Sequence, residues 1–179
     1  MYGNLNYNGL DSLKQATSCP GSVQLLFFTP VGNVTTFSTF NNTNGYVTQP
    51  VSATWYYAFV PPTNGGYREE QKEGEGGPYF DVQVNAMIPF DSAANQLSLE
   101  RMAYERFVCM VQLANGVIKV LGDKENPVRF TQSQDTGNTV KGIPGTNVAF
   151  LWQECTKPPI LQPTDLFWLY KLIGQLAPV

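Results

Sequence analysis

At 179 residues the chain fits one domain, long enough to bury roughly two-thirds of the surface its unfolded form exposes without disulfide staples. Charged residues make up 14% against about a quarter in an average domain, the net charge is −3, and the lysines and arginines are scattered, which argues against a sequence-reading nucleic-acid domain. Histidine is absent, so Ser-His-Asp and Cys-His catalysis and histidine-ligated zinc are excluded.

Residues 1–22 are polar, rich in Asn and Ser, and close on Cys19-Pro20-Gly21, so they read as an amino-terminal arm. They lack a basic start followed by an apolar core, and no segment approaches the roughly 18 apolar residues of a membrane span; neither a signal peptide nor an anchor is expected. Strands are predicted at Val23 to Thr29, Val34 to Phe40, Tyr46 to Thr48 and Ala53 to Val60, each rich in β-branched or aromatic residues and punctuated by Pro, Gly or Asn. In the last, Trp55, Tyr57 and Phe59 form an aromatic stripe that suits a core or a subunit contact. Its other reading is a ligand platform.

Between Arg68 and Gly77 no apolar residue occurs, and Glu69, Glu70, Glu73 and Glu75 sit among glycines, which predicts a solvated loop. Tyr79 to Ile88 then alternates Phe80, Val82, Val84, Ala86 and Ile88 with polar residues, the pattern of a strand with one buried face. A short helix is predicted near 92–104, capped by Asp91 or Ser92, with Leu99, Met102, Ala103 and Arg106 on its sheet-facing stripe.

Phe107 to Leu121 reads as a β-hairpin. Asn115-Gly116 tolerates positive φ at both centres of a type I′ turn, and that turn would place Leu113 opposite Ile118, Val111 opposite Val120 and Gln112 opposite Lys119. Further strands are predicted at Val128 to Thr131, Thr139 to Lys141 and Val148 to Gln153. The three cysteines, Cys19, Cys109 and Cys155, have no metal or redox spacing and read as free thiols, Cys109 in the core.

From Lys157, the prolines Pro158, Pro159 and Pro163 predict an extended linker, and beyond it the chain is almost continuously apolar. Leu166, Phe167, Trp168, Leu169, Leu172 and Ile173 are candidate subunit-interface residues on an arm seated on another subunit or another protein; the alternative is a helix docked on its own domain. The predicted division is therefore an arm over 1–22, a β domain over 23–156, and a linker with carboxy-terminal arm over 157–179. The fold class is mainly β: an antiparallel barrel or sandwich with one short flanking helix and extended terminal arms.

No nucleotide-binding, EF-hand or paired-carboxylate pattern is present, so no catalytic residue, cofactor or metal ligand is nominated and an enzyme is not expected. A surface this short of charge suits coverage by neighbouring subunits, the other reading being an ordinary low-charge monomer.

In the order CPGSVQLLFFTPVGNVTTF, GGPYFDVQVNAMIPFDS, RFVCMVQLANGVIKVLGDKENPVRF and DTGNTVKG, covering roughly residues 19 to 160, the chain resembles small virion proteins of tailed phages and prophages of Bacteroides-like bacteria. The resemblance implies a tail-associated structural subunit, similar to tail-tube or tail-hub proteins, assembling with itself and with other virion proteins in the host cytoplasm. In such a ring the glutamates at 69, 70, 73 and 75 would be lumen or rim candidates, letting DNA pass without sequence-specific binding. Alternatives are a capsid decoration or head-completion protein and a carbohydrate-binding β-sandwich using Trp55, Tyr56 and Tyr57.

Overall fold

A computed structural model describes residues 23–52, 54–59, 66–89, 93–135 and 145–162. The chain enters at β1 (Val23–Pro30), passes a single 3-10 turn, and lays down the short strands β2 (Val34–Thr36), β3 (Tyr46–Val47), β4 (Val51–Ser52) and β5 (Tyr56–Phe59). The long hairpin β6 (Gly66–Gly74) and β7 (Gly77–Pro89) precedes α1 (Ala93–Tyr104). Then come β8 (Arg106–Leu113), β9 (Ile118–Leu121), β10 (Val128–Asp135), β11 (Gly145–Glu154) and β12 (Ile160–Leu161). Among the described residues the fold is mainly β with one α-helix, and its principal sheet curls into a half-barrel along the path β3-β12-β9-β8-β10-β11-β7-β6, with β1 on the other edge of β8 and β5 beyond it. Among the described residues every strand pairing is antiparallel except β12 with β3.

β8 is the wall on which this arrangement rests. Its residues Phe107 to Gln112 are all buried, because opposite faces of the strand look into different cores. Phe107, Cys109 and Val111 face the concave interior with Val82, Val84, Phe130, Phe150 and Trp152, while α1 brings Leu99 and Met102 to the same core. Val108 and Met110 face a second core made with Phe27, Val47, Trp55, Ile118, Val120 and Leu161. A strand buried on both faces loses the apolar-polar alternation of a surface strand. The register shift between Val23 and Leu25 in β1 serves the same division, since Val23 joins the first core and Leu25 packs on the second.

The β8–β9 hairpin forms, with a different turn from the one expected. Leu113 N donates to Val117 O and Gly116 N to Leu113 O, both at 2.9 Å, and Gly116 has φ +81°. The connection is thus three residues, Ala114-Asn115-Gly116, with glycine in the left-handed position of a bulged turn. Asn115 Oδ1 accepts from Val117 N at 3.0 Å and steadies it. The register moves by one: Gln112 pairs with Ile118, Val111 with Lys119 and Met110 with Val120. Lys119 therefore points toward the concave core rather than opposite Gln112, a consequence of the two-residue side-chain period.

Three other expectations change. Arg68 to Gly77, expected as a solvated loop, is instead the tip of a hairpin in which β6 pairs with β7 from Gly66↔Asn85 to Gly74↔Gly77. Arg106 opens β8 instead of extending the helix stripe, and Ala103 is exposed. The linker does not leave the domain at Lys157: Pro158 is buried, Ile160 and Leu161 pair with Tyr46 and Val47, and Gln162 N donates to Val47 O at 2.9 Å. The predicted strand at Thr139 to Lys141, the arm over 1–22 and residues 163–179 lie outside the described residues.

Candidate functional site

Strand alternation divides the four glutamates of β6 and its turn. Tyr67 and Glu69 stand opposite Val84 and Val82, on the concave side, whereas Arg68, Glu70 and Lys72 project from the other face. On that outer face Glu70 is directly opposite Asp81, a like-charge pair that would be unfavourable alone. Lys72 relieves it by binding Asp81 and approaching Glu70 at 3.9 Å, and Arg68 pairs with Glu70. The Lys72 hydrogen bond is the leading reason that the Asp81 carboxyl is held below its ordinary value. Glu73 and Glu75 are exposed at the end of the hairpin.

The concave side carries the least exposed ion pair among the described residues. Lys119 reaches across the mouth of the half-barrel from β9 to ion-pair with Glu69 on β6, and only 18% and 16% of the two side chains remain exposed. Tyr67 donates its phenol proton to the same Glu69 oxygen at 2.7 Å, and the Lys119 ammonium lies 4.9 Å from the centre of the Tyr67 ring. Burial alone would raise the Glu69 carboxyl. The hydrogen bonds from Lys119 and Tyr67, with the charges of Lys119 and Lys157, outweigh it and hold the group below its ordinary range. Burial, then the hydrogen bond and charge of Glu69, push the Tyr67 phenol strongly upward. It stays protonated, as a donor to Glu69. Lys157 sits 5.6 Å over the ring of Phe80 nearby.

Chemically this is a brace: both charged groups are satisfied by each other, and the phenol proton is committed to the carboxylate. Asn126, between β9 and β10, is tied to the end of β11: its side-chain amide donates to Gln153 O and, at 2.7 Å, to Glu154, while its main-chain carbonyl accepts from Trp152 Nε1 at 3.1 Å. Elsewhere a shallow cleft of about 250 Å³ opens between α1 and the β10–β11 pair, lined by Gln96, Leu99, Gln132 and Thr146.

The structure brings Glu69 into the brace and leaves Glu70 in the outer ion pairs, so the glutamates do not form one acidic surface. Leu166, Phe167, Trp168, Leu169, Leu172 and Ile173 lie outside the described residues. Trp55, nominated with Tyr56 and Tyr57 as a carbohydrate platform, is 2% exposed in the second core, and Tyr57 packs on Phe27 at 6.4 Å between ring centres. Tyr56 alone of the three is exposed, stacked on Phe28 at 5.8 Å. Among the described residues no group of His, Cys, Asp or Glu is arranged to hold a metal. Cys109 and Cys155 are free, the first buried with its thiol pushed up by burial, the second exposed.

Sequence reasoning missed Lys119, which it placed opposite Gln112. The signal available was the pair Ala114 and Gly116, which fit a three-residue connection as well as a two-residue one. No family model, no curated protein and no solved structure matches the chain.

Proposed function

We propose that the protein is a non-enzymatic structural subunit of a phage virion, a ring or tube component of the tail or of the head-tail connection. The observation that carries the reading is a curled, incompletely closed sheet. Among the described residues β6 and β5 end it with one edge each unpaired, and Phe40, Val51, Leu97 and Tyr104 are exposed apolar side chains on its surroundings. Free strand edges and exposed apolar area are features that assembly covers. The helix between β7 and β8 accords with the barrel-and-helix subunit implied by the resemblance to tail-tube and tail-hub proteins.

In such a ring Glu73 and Glu75 are the lumen or rim candidates, because Glu69 and Glu70 are already ion-paired. They would repel a passing phosphate backbone. The apolar segment beyond Gln162 docks on a neighbouring copy or another virion protein. No helix among the described residues is long and apolar enough to cross a membrane.

Negative-stain microscopy of the purified chain tests the proposal. Rings or tubes are expected. A monomer that binds only to assembled capsids would replace the tail reading with a decoration or head-completion role, and a monomer that binds glycans would replace both.

A further inference from the structure

β6 ends the sheet path, and among the described residues its backbone pairs with β7 alone. Four strands separate it from β9 along that path, yet the side chains of the two strands meet across the concave mouth. We propose that the cluster of Lys119, Glu69 and Tyr67 is a charge-operated strap that keeps the half-barrel curled shut, and that protonation of Glu69 lets the mouth open.

The groups facing Glu69 are Tyr67 from its own strand, Lys119 from β9 and Lys157 from the segment after β11. Its neighbour on β7, Val82, is apolar, and Asp81 and Glu70 belong to the opposite face. The ionised carboxylate thus serves as the local counter-charge to Lys119. Once it is neutral, Lys119 is a shielded cation without its partner, and the cost of that state is relieved when the sheet uncurls and hydrates the ammonium. β6 stays paired to β7 and β7 to β11 in this step, so the ladders survive and opening is a flattening of the curl.

The test is a pulsed electron-spin distance between nitroxide labels at Gln71 on β6 and Lys124 in the turn after β9, in the full chain with Cys19 and Cys155 replaced by serine. Both labelled positions are exposed, and Cys109 is fully buried. At neutral pH the wild-type background gives one short distribution. Below the depressed titration of Glu69 it shifts to longer distances while far-ultraviolet dichroism stays that of a folded β protein. Glu69→Gln shows the longer distribution already at neutral pH and no further change on acidification, and Lys119→Arg keeps the wild-type behaviour. The proposal is overturned if the acidified wild type retains its neutral distance, or if Glu69→Gln opens with the same pH dependence as wild type. Should Glu69→Gln fail to fold, the acid titration of the wild type decides alone.

Discussion

Lys119 and Glu69, fifty residues apart in sequence, join β9 to β6 across the mouth of the half-barrel. The pair is shielded but not sealed, and Tyr67 supplies the carboxylate with a second donor. Removing either charge leaves the other poorly solvated, so Glu69→Gln or Lys119→Met should each cost about 1–3 kcal/mol. A double-mutant cycle by urea denaturation should return a coupling energy of order 1 kcal/mol or more; additive effects would show that the two charges act independently.

The same pair sets a pH dependence. Glu69 is held below its ordinary value in the folded state, so its contribution is fully present above the unfolded carboxylate value and is lost as pH falls through the depressed one. Stability measured from neutral pH downward should therefore fall in the acid range less steeply in Glu69→Gln than in wild type. Equal slopes would remove Glu69 from the acid sensitivity of the fold.

Gly122 follows β9 where the edge of β8 passes from β9 to β10. Its φ is +83°, and an added Cβ would lie 2.8 Å from Val128 Cγ2 and 2.9 Å from Phe107 O. Gly45, at φ +75°, has open space around it. Gly45→Ala should cost about 1 kcal/mol from left-handed strain alone. Gly122→Ala adds collision with a backbone oxygen and should cost clearly more, on the order of 2–4 kcal/mol. Matched denaturation curves showing equal losses would contradict the crowding.

Much of this architecture is legible in the residues. Phe80, Val82, Val84 and Ala86 announce β7 by alternation, and Leu99 and Met102 announce the helix face that meets the core. β6 hides because its signal is electrostatic. Arg68, Glu70 and Lys72 alternate in sign on one face, and Lys72 binds Asp81 on β7, a relation that hydrophobic periodicity does not register. The brace hides for a related reason. It depends on the curl of the sheet, which no local pattern encodes, and on a one-residue change of hairpin register, for which Ala114-Asn115-Gly116 fits both turn lengths.

The concave core is an aromatic cluster: Phe150 lies 5.3 Å from Phe130, 5.5 Å from Phe28 and 5.8 Å from Phe107 between ring centres. Because Phe150 touches strands on both sides of the interior, Phe150→Ala should cost about 3–5 kcal/mol. Phe150→Leu should recover much of that loss. Thermal unfolding of the two variants compares them, and a mild effect of the alanine would mean the half-barrel collapses around the vacancy.

Two truncations separate the domain from its carboxy-terminal arm. Ending the chain after Gln162 keeps Leu161, 2% exposed in the second core, together with the β12 pairing to β3 and β9. The β domain should stay folded, and on the proposed function its assembly should be lost, because the apolar residues from Leu166 onward go with the arm. Ending it after Thr156 also removes buried Pro158 and Leu161 and exposes the edges of β3 and β9. Burial of one Leu side chain contributes roughly 1.5–3 kcal/mol, and the lost pairing adds to it, so this shorter chain should be markedly less stable. If the 162-residue chain unfolds, the apolar segment completes the domain's own core and the arm reading fails. If it stays folded and still forms rings, the arm is not what joins the subunits.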